Sequence, residues 1–285
     1  MNIIISIFLI FLDNYKAKLR LSKIIRKKRK YNVEKMNLYA KKVILLGNGN
    51  SLNQLINNSI IHDRESVSIG LSLSTLHEFD ADFYYSESPS EERYFNDVKY
   101  FQKYFNVRRK AIELKAKNPD TKFIFDESCS GNIHDNYSGI NFEQLRYFYL
   151  GHINMRLKGS NRIFGKIIDF YITLQQIGLC SRNVSLGNFS LFRLLQICVM
   201  HRAKEIHLVG FDLAGPPFYK YHNLVSEELN INIQFILDYQ KNIHSDEHRT
   251  NDPSVNAITA DHVIQAFDKI CQRRGIKLYL HKGEF

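Results

Sequence analysis

A glycine-rich turn, Gly47-Asn48-Gly49, is the first group of residues in this chain that could do chemistry. It directly follows the apolar run Lys42-Val-Ile-Leu-Leu46, a pattern typical of a strand buried on both faces of a parallel sheet. Helical spacing starts behind it at Leu52, with Ser51 as the expected N-cap. Glycines let a backbone approach a ligand closely, and free amides at a helix start attract phosphate. The turn predicts a nucleotide site, with a purely structural turn as the alternative.

A carboxylate, Asp212, follows a second apolar run, Glu205-Ile-His-Leu-Val209, after Gly210 and Phe211. Ligands of open α/β sheets bind beyond the carboxyl ends of the strands. We therefore expect Gly210 and Asp212 at the rim of the nucleotide site. The alternative role of Asp212 is to cap a loop.

His248 lies in a polar stretch before the last predicted helix and could act as a general base. An imidazole titrates near neutral pH and is therefore suited to accept the proton of a hydroxyl group. His244 lies four residues away and is the alternative base among the 11 histidines of the chain. The phenols of Tyr219 and Tyr221 could donate to a leaving phosphate, or they could have a core or surface role.

The acidic pair Asp80 and Asp82 has the spacing of a metal-binding motif, Asp-Ala-Asp. The pair precedes its strand, whereas a metal at the carboxyl edge of the sheet would need acids after the strand. The histidines also lack a compact spacing for metal ligands. We therefore expect no metal site and no cofactor apart from the donor substrate.

Alternating apolar patterns from residue 41 to residue 280 predict one α/β domain with a doubly wound, mostly parallel, Rossmann-like sheet. Continuous apolar runs predict strands at residues 42–46, 66–69, 82–85, 122–125, 205–209 and 276–280. Helical spacing predicts helices at residues 73–79, 93–116, 189–201 and 261–272, the last of them ended by Gly275.

Residues 127–165 are polar, aromatic and rich in Gly and Asn, and they have no clean period. A long loop without secondary structure is uncommon unless it is functional. We therefore predict an irregular insertion or lid here, within a catalytic domain that spans residues 41–285.

The amino-terminal segment, residues 1–35, combines an almost unbroken apolar run, Ile3 to Leu12, with nine Lys or Arg residues between Lys16 and Lys30. Ten apolar residues are too few to cross a bilayer, which takes about 20. The charges follow the apolar run, opposite to the order in a secretory signal. Two interpretations remain open: a membrane-surface anchor on anionic lipid, or a translation start at Met36.

The charge and cysteine content exclude several classes of protein. The formal net charge is +10, and much of the excess lies in the amino-terminal segment. No basic-aromatic module follows it, so nucleic acid is not an expected partner. The four cysteines form no CxxC pair, and Cys198 lies in an apolar run typical of a buried position. Free thiols of this kind indicate a cytoplasmic location, with a peripheral position on the inner membrane if the segment is an anchor.

Four stretches of the chain resemble the bacterial family 42 sialyltransferases, which transfer sialic acid from CMP-sialic acid and have a GT-A-like variant of this fold. Residues 41–52 resemble the opening strand and turn, and residues 81–86 the third strand. Residues 190–212 resemble the central helix and strand, and residues 261–279 the closing pair. Motility accessory factor and DUF115-type proteins share these stretches.

The resemblance implies roles for individual residues. The Gly47-Asn48-Gly49 turn would contact CMP, and Ser86 stands where the family has a donor-contacting Asn. Asn188 and Ser190 would hold the donor phosphate or carboxylate, and Asp212 would lie beside the nucleotide.

The catalytic groups implied by the resemblance lie in the last third of the chain. Tyr219 or Tyr221 falls near a family Tyr that stabilises the departing phosphate, and His248 resembles the catalytic His. More residues separate His248 from the closing helix than the family pattern has. Ser72 or Gly70 replaces an Asn that usually follows the second strand, and Ala214 replaces another Tyr.

The resemblance implies an inverting, metal-independent transfer of sialic acid, or a related ulosonic acid, from a CMP donor to a cell-surface glycan such as lipooligosaccharide. The expected partners are this donor and a glycan acceptor, an anionic membrane surface, and a second copy of the chain in a homo-oligomer. Two other classes remain: a DUF115-like glycosyltransferase or pyrophosphokinase with another nucleotide donor, and a non-catalytic nucleotide-binding protein.

Overall fold

The computed structural model of the chain describes residues 3–28, 36–53, 65–77, 79–86, 98–127, 140, 146–153, 161–187, 189–212 and 258–281. Five α-helices lie within these ranges: α1 Ile3–Lys28, α2 Val98–Lys115, α3 Asn161–Gln176, α4 Ser190–Met200 and α5 Ala260–Arg273. The same ranges contain eight strands: β1 Lys42–Leu46, β2 Ser66–Leu71, β3 Phe83–Ser86, β4 Lys122–Asp126, β5 Arg146–Ile153, β6 Val184–Leu186, β7 Glu205–Val209 and β8 Lys277–Leu280. Two short 3-10 helices, Asn50–Asn53 and Ser72–Leu76, follow β1 and β2.

The eight strands form one sheet in the order β6-β5-β4-β3-β2-β1-β7-β8, and every pairing is parallel. The chain winds outward from β1 to β6 and then returns to place β7 on the other side of β1. This order confirms the predicted doubly wound α/β sheet.

Apolar layers cover both faces of the sheet, as the continuous apolar runs predicted. Val43 and Leu45 point into a core shared with α3, α4 and α5. Ile44 and Leu46 point to the opposite core, which α2 and the two 3-10 helices close. Cys198 is fully buried in the first core, as its apolar run predicted.

The predicted strands and helices of residues 41–280 are confirmed within the described ranges, with most ends displaced by one or two residues. The helix predicted at residues 73–79 is a single 3-10 turn. The helix α5 ends at Arg273, and Gly275 behind it has a φ of +69°, a conformation that favours glycine.

The prediction of an irregular insertion at residues 127–165 is wrong for the second part of this range. Strand β5 lies inside it and pairs with both β4 and β6, and α3 begins at Asn161. Tyr147 and Tyr149 of β5 are almost completely buried. The segment was mistaken for a lid because its strand is built from aromatic rather than aliphatic residues.

The helix of the amino-terminal segment is packed onto the domain. Helix α1 packs against β5 and β6, and Ala17 and Leu21 are buried. Asn14 donates to the Tyr171 hydroxyl at 2.5 Å and accepts a hydrogen bond from the Ser181 amide. The division at residue 35 does not separate α1 from the domain, because one face of this helix belongs to its core.

Candidate functional site

The reversal of winding makes the carboxyl ends of β1 and β7 the switch point of the sheet, which is where open α/β sheets have their ligand-binding crevice. Open α/β sheets bind ligands at such a switch point, because the connections leave the two strands in opposite directions. The Gly47-Asn48-Gly49 turn follows β1, and Gly210 to Asp212 follow β7. The structure therefore brings together two groups of residues that the sequence analysis had assigned to one site.

Tight backbone contacts join the two strand ends, and we call this region the seam: residues 47–51 against residues 209–212. The Gly47 amide donates to the Val209 carbonyl at 2.7 Å, and the Gly49 amide to the Gly210 carbonyl at 2.6 Å. A Cβ at position 47 would collide with the Gly210 carbonyl oxygen. The glycines are thus needed to bring two backbones together.

Ser51 and Asp212 complete the seam. The Asp212 carboxylate accepts the Ser51 amide at 2.6 Å, and the Ser51 hydroxyl accepts the Gly210 amide at 2.7 Å. The prediction of Ser51 as a helix N-cap is wrong, since Ser51 lies inside a four-residue 3-10 helix. The amides of Gly47, Gly49 and Ser51 are bonded within the protein, so the turn is not a cradle of free amides. Asp212 has the loop-capping role that the sequence analysis had left as its alternative.

Asn48 differs from Gly47, Gly49 and Ser51, whose amides are bonded within the protein. The residue is half-buried, and its Oδ1 is fully buried without a hydrogen-bond partner among the described residues. Leaving a buried amide oxygen unpaired costs about 1 to 3 kcal/mol. Such an atom at a switch point is a candidate contact for a ligand that donates a hydrogen bond.

Three more predicted residues lie along the same edge of the sheet. Ser86 ends β3 and is buried, and Ser190 begins α4 and is partly exposed. The N-cap of α4, Phe189, provides no side-chain hydrogen bond to the helix. Ser72 begins the 3-10 helix after β2, and its side chain is outside the description.

Asn188, Tyr219, Tyr221 and His248 lie outside the described residues, as do the alternative base His244 and the position of Ala214. Their assignments stay predictions. The structure therefore describes the candidate nucleotide site but not the candidate catalytic groups.

A buried polar cluster near this edge was missed in the sequence analysis. The Arg193 guanidinium of α4 donates to Asp126 Oδ2, at the end of β4, and to the Tyr85 hydroxyl of β3, both at 2.8 Å. Its Nε donates to the Gly187 carbonyl at 3.2 Å. All three side chains of the cluster are buried. One visible signal was available, because Arg193 interrupts the apolar run Leu191-Phe-Arg-Leu-Leu195.

The cluster fixes where α4 begins. It ties the first turn of the helix to the carboxyl ends of β3 and β4, and to the turn after β6.

The acidic pair Asp80 and Asp82 has structural partners. Asp82 accepts hydrogen bonds from the Ser68 amide and hydroxyl at 2.8 and 2.9 Å, and Asp80 pairs with Lys115 at 2.7 Å. Both acids precede β3 and so lie at the amino edge, opposite the crevice. No group of three metal-ligating side chains occurs in the part of the chain that the structure describes.

The surroundings of three described histidines favour the neutral form of the imidazole ring. His207 Nδ1 lies 2.9 Å from His281 Nε2, and burial lowers the pKa of both rings, with Lys42 acting in the same direction. Burial, followed by repulsion from Arg182, lowers the pKa of His201 to about 4. These groups make the stability of the fold depend on pH.

No protein-family model and no curated protein matches this sequence. The chain is similar to solved structures of sialyltransferases from Campylobacter jejuni. CstII in complex with the substrate analogue CMP-3FNeuAc shares 14% identity over 85% of this chain and 80% of that chain, with a TM-score of 0.38. The monofunctional α-2,3-sialyltransferase Cst-I shares 11% identity over 86% of this chain and 76% of that chain, with a TM-score of 0.42. The likeness is distant.

Proposed function

We propose that this protein is a glycosyltransferase that transfers a sialic acid, or a related ulosonic acid, from a CMP-activated donor to a glycan acceptor. The observation that carries the proposal is Asn48, whose buried Oδ1 has no hydrogen-bond partner among the described residues at the β1–β7 switch point. A cytosine amino group or a ribose hydroxyl would supply the missing donor. The sequence resemblance assigns the contact with CMP to this same residue.

The rest of the donor would lie along the carboxyl edge. Ser86 and the start of α4 at Ser190 follow the seam in this direction, and the amino-terminal end of a helix favours an anionic group. The donor phosphate or the sugar carboxylate is such a group. Arg193 and Asp126 act on this part of the site through α4, because they hold its first turn in place.

The reaction we propose is a direct displacement. His248 accepts the proton of the acceptor hydroxyl, whose oxygen forms a bond to the anomeric carbon. The bond between that carbon and the phosphate oxygen breaks, and CMP leaves with the electron pair while Tyr219 or Tyr221 donates to the phosphate. This single step inverts the anomeric configuration. The acceptor would be a cell-surface glycan such as lipooligosaccharide.

A thermal-shift experiment with the full chain tests the donor. CMP and CDP are expected to raise the melting temperature, because a ligand that binds only the folded state stabilises it. UDP and NAD serve as matched nucleotides and are expected to have little effect. Protection by UDP alone would replace the proposal with a DUF115-like transferase that has another donor.

Turnover is tested by hydrolysis of CMP-sialic acid with and without EDTA. We propose that the transfer is metal-independent, so activity is expected to survive chelation. Loss with EDTA and recovery with Mn²⁺ would contradict this part of the proposal. Tight CMP binding without any turnover would identify a non-catalytic nucleotide-binding protein.

A further inference from the structure

Helix α1 has apolar residues on two opposite faces, and one of these faces packs against the rest of the domain. The inner face contains Asn14, Ala17 and Leu21, which are buried against the domain. These positions recur every three to four residues and so lie on one side of the helix. Residues two positions away, such as Tyr15 relative to Ala17, point in nearly the opposite direction because one residue turns the helix by about 100°.

The outer face is apolar as well. We define the outer stripe as Phe8, Leu12, Tyr15 and Leu19, which also have helical spacing. Their exposed fractions are 65%, 39%, 60% and 44%. A surface helix normally presents polar residues to water on this side. Four large apolar side chains in a row therefore indicate a surface that is covered in the functional state.

The apolar surface continues from the helix onto the turn that follows α3. Ile177 and Leu179 of this turn are exposed by 63% and 64%. Leu179, Tyr15 and Phe11 line one open cavity of about 590 Å³ between the turn and α1. Tyr15 of the outer stripe and Leu179 of the turn therefore border the same cavity.

Positive charge surrounds this surface. Lys16, Lys18 and Lys23 of α1 are exposed, and Lys18 and the exposed Arg182 line the same cavity. The sequence has nine Lys or Arg and no acidic residue between Lys16 and Lys30. An apolar stripe flanked by lysines is typical of helices that lie in the interface of an anionic bilayer.

We propose that the outer stripe, together with Ile177 and Leu179, is a membrane-docking surface that holds the protein on an anionic bilayer with α1 parallel to the membrane plane. None of the helices in the described part of the chain is long and apolar enough to span a bilayer. The inference is independent of the proposed donor, since it uses no residue of the seam.

The contacts of the inner face limit which variants can test the proposal. Deleting α1 would expose the core around Tyr171 and could unfold the domain, so individual exposed side chains are substituted in the full chain instead. Leu12→Ser and Leu280→Ser form a matched pair, because each leucine is 39% exposed. Leu12 lies on the helix that packs on β5 and β6, and Leu280 on β8 at the other end of the sheet.

Co-sedimentation with vesicles of equal parts phosphatidylcholine and phosphatidylglycerol measures the docking. Leu12→Ser is expected to lower the partition coefficient about tenfold, in proportion to the apolar area that no longer enters the membrane. Leu280→Ser is expected to leave it unchanged. Both variants are expected to stay folded with similar, modest losses of melting temperature, because each leucine is 39% exposed and loses a comparable set of contacts.

The charges are tested with a second matched pair. Lys16→Glu with Lys23→Glu is expected to lower the partition coefficient by about tenfold or more, because each basic residue near the surface contributes to the attraction. The same change at Lys110 and Lys117, two exposed lysines at α2 and the turn after it, is expected to have little effect. Vesicles of phosphatidylcholine alone are expected to bind the wild type weakly.

Three outcomes would overturn the proposal. The first is absence of wild-type binding to the anionic vesicles, and the second is an equal effect of Leu12→Ser and Leu280→Ser. The third is a wild-type dimer that Leu12→Ser dissociates without any vesicle binding, which would make the surface a contact between two copies. The CMP-induced thermal shift, measured on the same variants, keeps a failure here separate from a failure of the donor assignment.

Discussion

The guanidinium of Arg193 in α4 lies 2.8 Å from Asp126 Oδ2 at the end of β4, and both side chains are almost completely buried. The two residues are 67 positions apart in the sequence. Tyr85 of β3 accepts a second hydrogen bond from the same guanidinium. The stability of the fold is sensitive to substitution of a buried ion pair, because removal of either partner leaves the other charge buried without its counter-ion.

Arg193→Met is expected to lower the free energy of unfolding by about 3 to 5 kcal/mol, since the Asp126 carboxylate then stays buried without the positive charge of Arg193 beside it. Urea denaturation at neutral pH measures this loss. The double variant Arg193→Met with Asp126→Leu is expected to recover part of it. Arg273→Met is the matched control, because Arg273 pairs with Asp169 at 2.9 Å while 52% exposed, and it is expected to cost less than about 1 kcal/mol. Equal effects at positions 193 and 273 would contradict the role of the buried cluster.

Gly49→Ala is expected to destabilise the protein by about 1 to 3 kcal/mol, because its Cβ would lie 2.5 Å from the Asp212 carboxylate. Gly165→Ala provides the contrast. Gly165 lies inside helix α3, and among the described residues its Cβ would meet Ala266 alone, at an ordinary 3.7 Å. This change is expected to stabilise the protein by about 0.4 to 1 kcal/mol. Thermal unfolding of the two variants checks the sign, and a rise for Gly49→Ala would show that the seam is looser than described.

Asn48→Ala is expected to abolish the CMP-induced rise in melting temperature without lowering the melting temperature of the free protein. The stability is expected to hold because the substitution removes a buried oxygen that has no partner among the described residues. Asn118→Ala is the control, since its Oδ1 accepts the Asp120 amide in a turn remote from the crevice. A CMP response in the Asn48 variant equal to that of the wild type would remove this residue from the donor site.

The free energy of unfolding is expected to fall as the pH drops below about 6.5. Burial lowers the pKa of His201 to about 4, so the unfolded chain binds a proton in this interval that the folded protein does not. The pKa of His207 and that of His281 are lowered in the same direction. The decline is expected to level off for His201 below its folded pKa.

His201→Gln isolates this contribution. The variant is expected to show a flatter decline between pH 6.5 and pH 4 in urea titrations at a series of pH values, with about 1.4 kcal/mol for each unit of pKa difference removed. Parallel curves for the variant and the wild type would mean that His201 is solvated in the folded protein.

His248→Ala is expected to lower the rate of sialic acid transfer by about a hundredfold to ten-thousandfold, the usual contribution of a general base. CMP affinity is expected to stay nearly unchanged, since in the proposed mechanism the imidazole acts on the acceptor. His244→Ala is the matched control, because His244 lies four residues away in the sequence. Loss of rate in the His244 variant instead would assign the base to that histidine.

Elements with a strong local pattern could be predicted from the sequence. Strands β1 and β7 are continuous apolar runs that end at glycines, and their predicted and observed residue ranges are identical. Strand β5 was missed because its sequence Arg-Tyr-Phe-Tyr-Leu-Gly-His-Ile is built around three consecutive aromatic residues and is interrupted by Gly151 and His152, rather than being a run of β-branched aliphatic residues. The packing of helix α1 was missed because two of its buried contacts are made by the small Ala17 and the polar Asn14, which a search for large apolar residues passes over.

The site was predictable as far as its place on the sheet, and less so in its chemistry. The position of Asn48 followed from strand, turn and helix order alone. The pairing of the Ser51 amide with Asp212 could not be predicted, because nothing local to either residue encodes a partner 161 positions away. The same holds for Arg193, whose interruption of an apolar run signalled a buried charge but not the identity of Asp126.

The seam also determines when in folding the crevice can exist. Ser51 and Gly210 are joined directly although 159 positions separate them in the sequence. Contacts between such distant positions form slowly, because a long loop has to close before they stabilise the chain. Strand β7 reaches β1 only after the chain has wound through β6, so the crevice is expected to assemble in the last steps of folding. A nucleotide that binds across this junction would then select chains that have completed their fold.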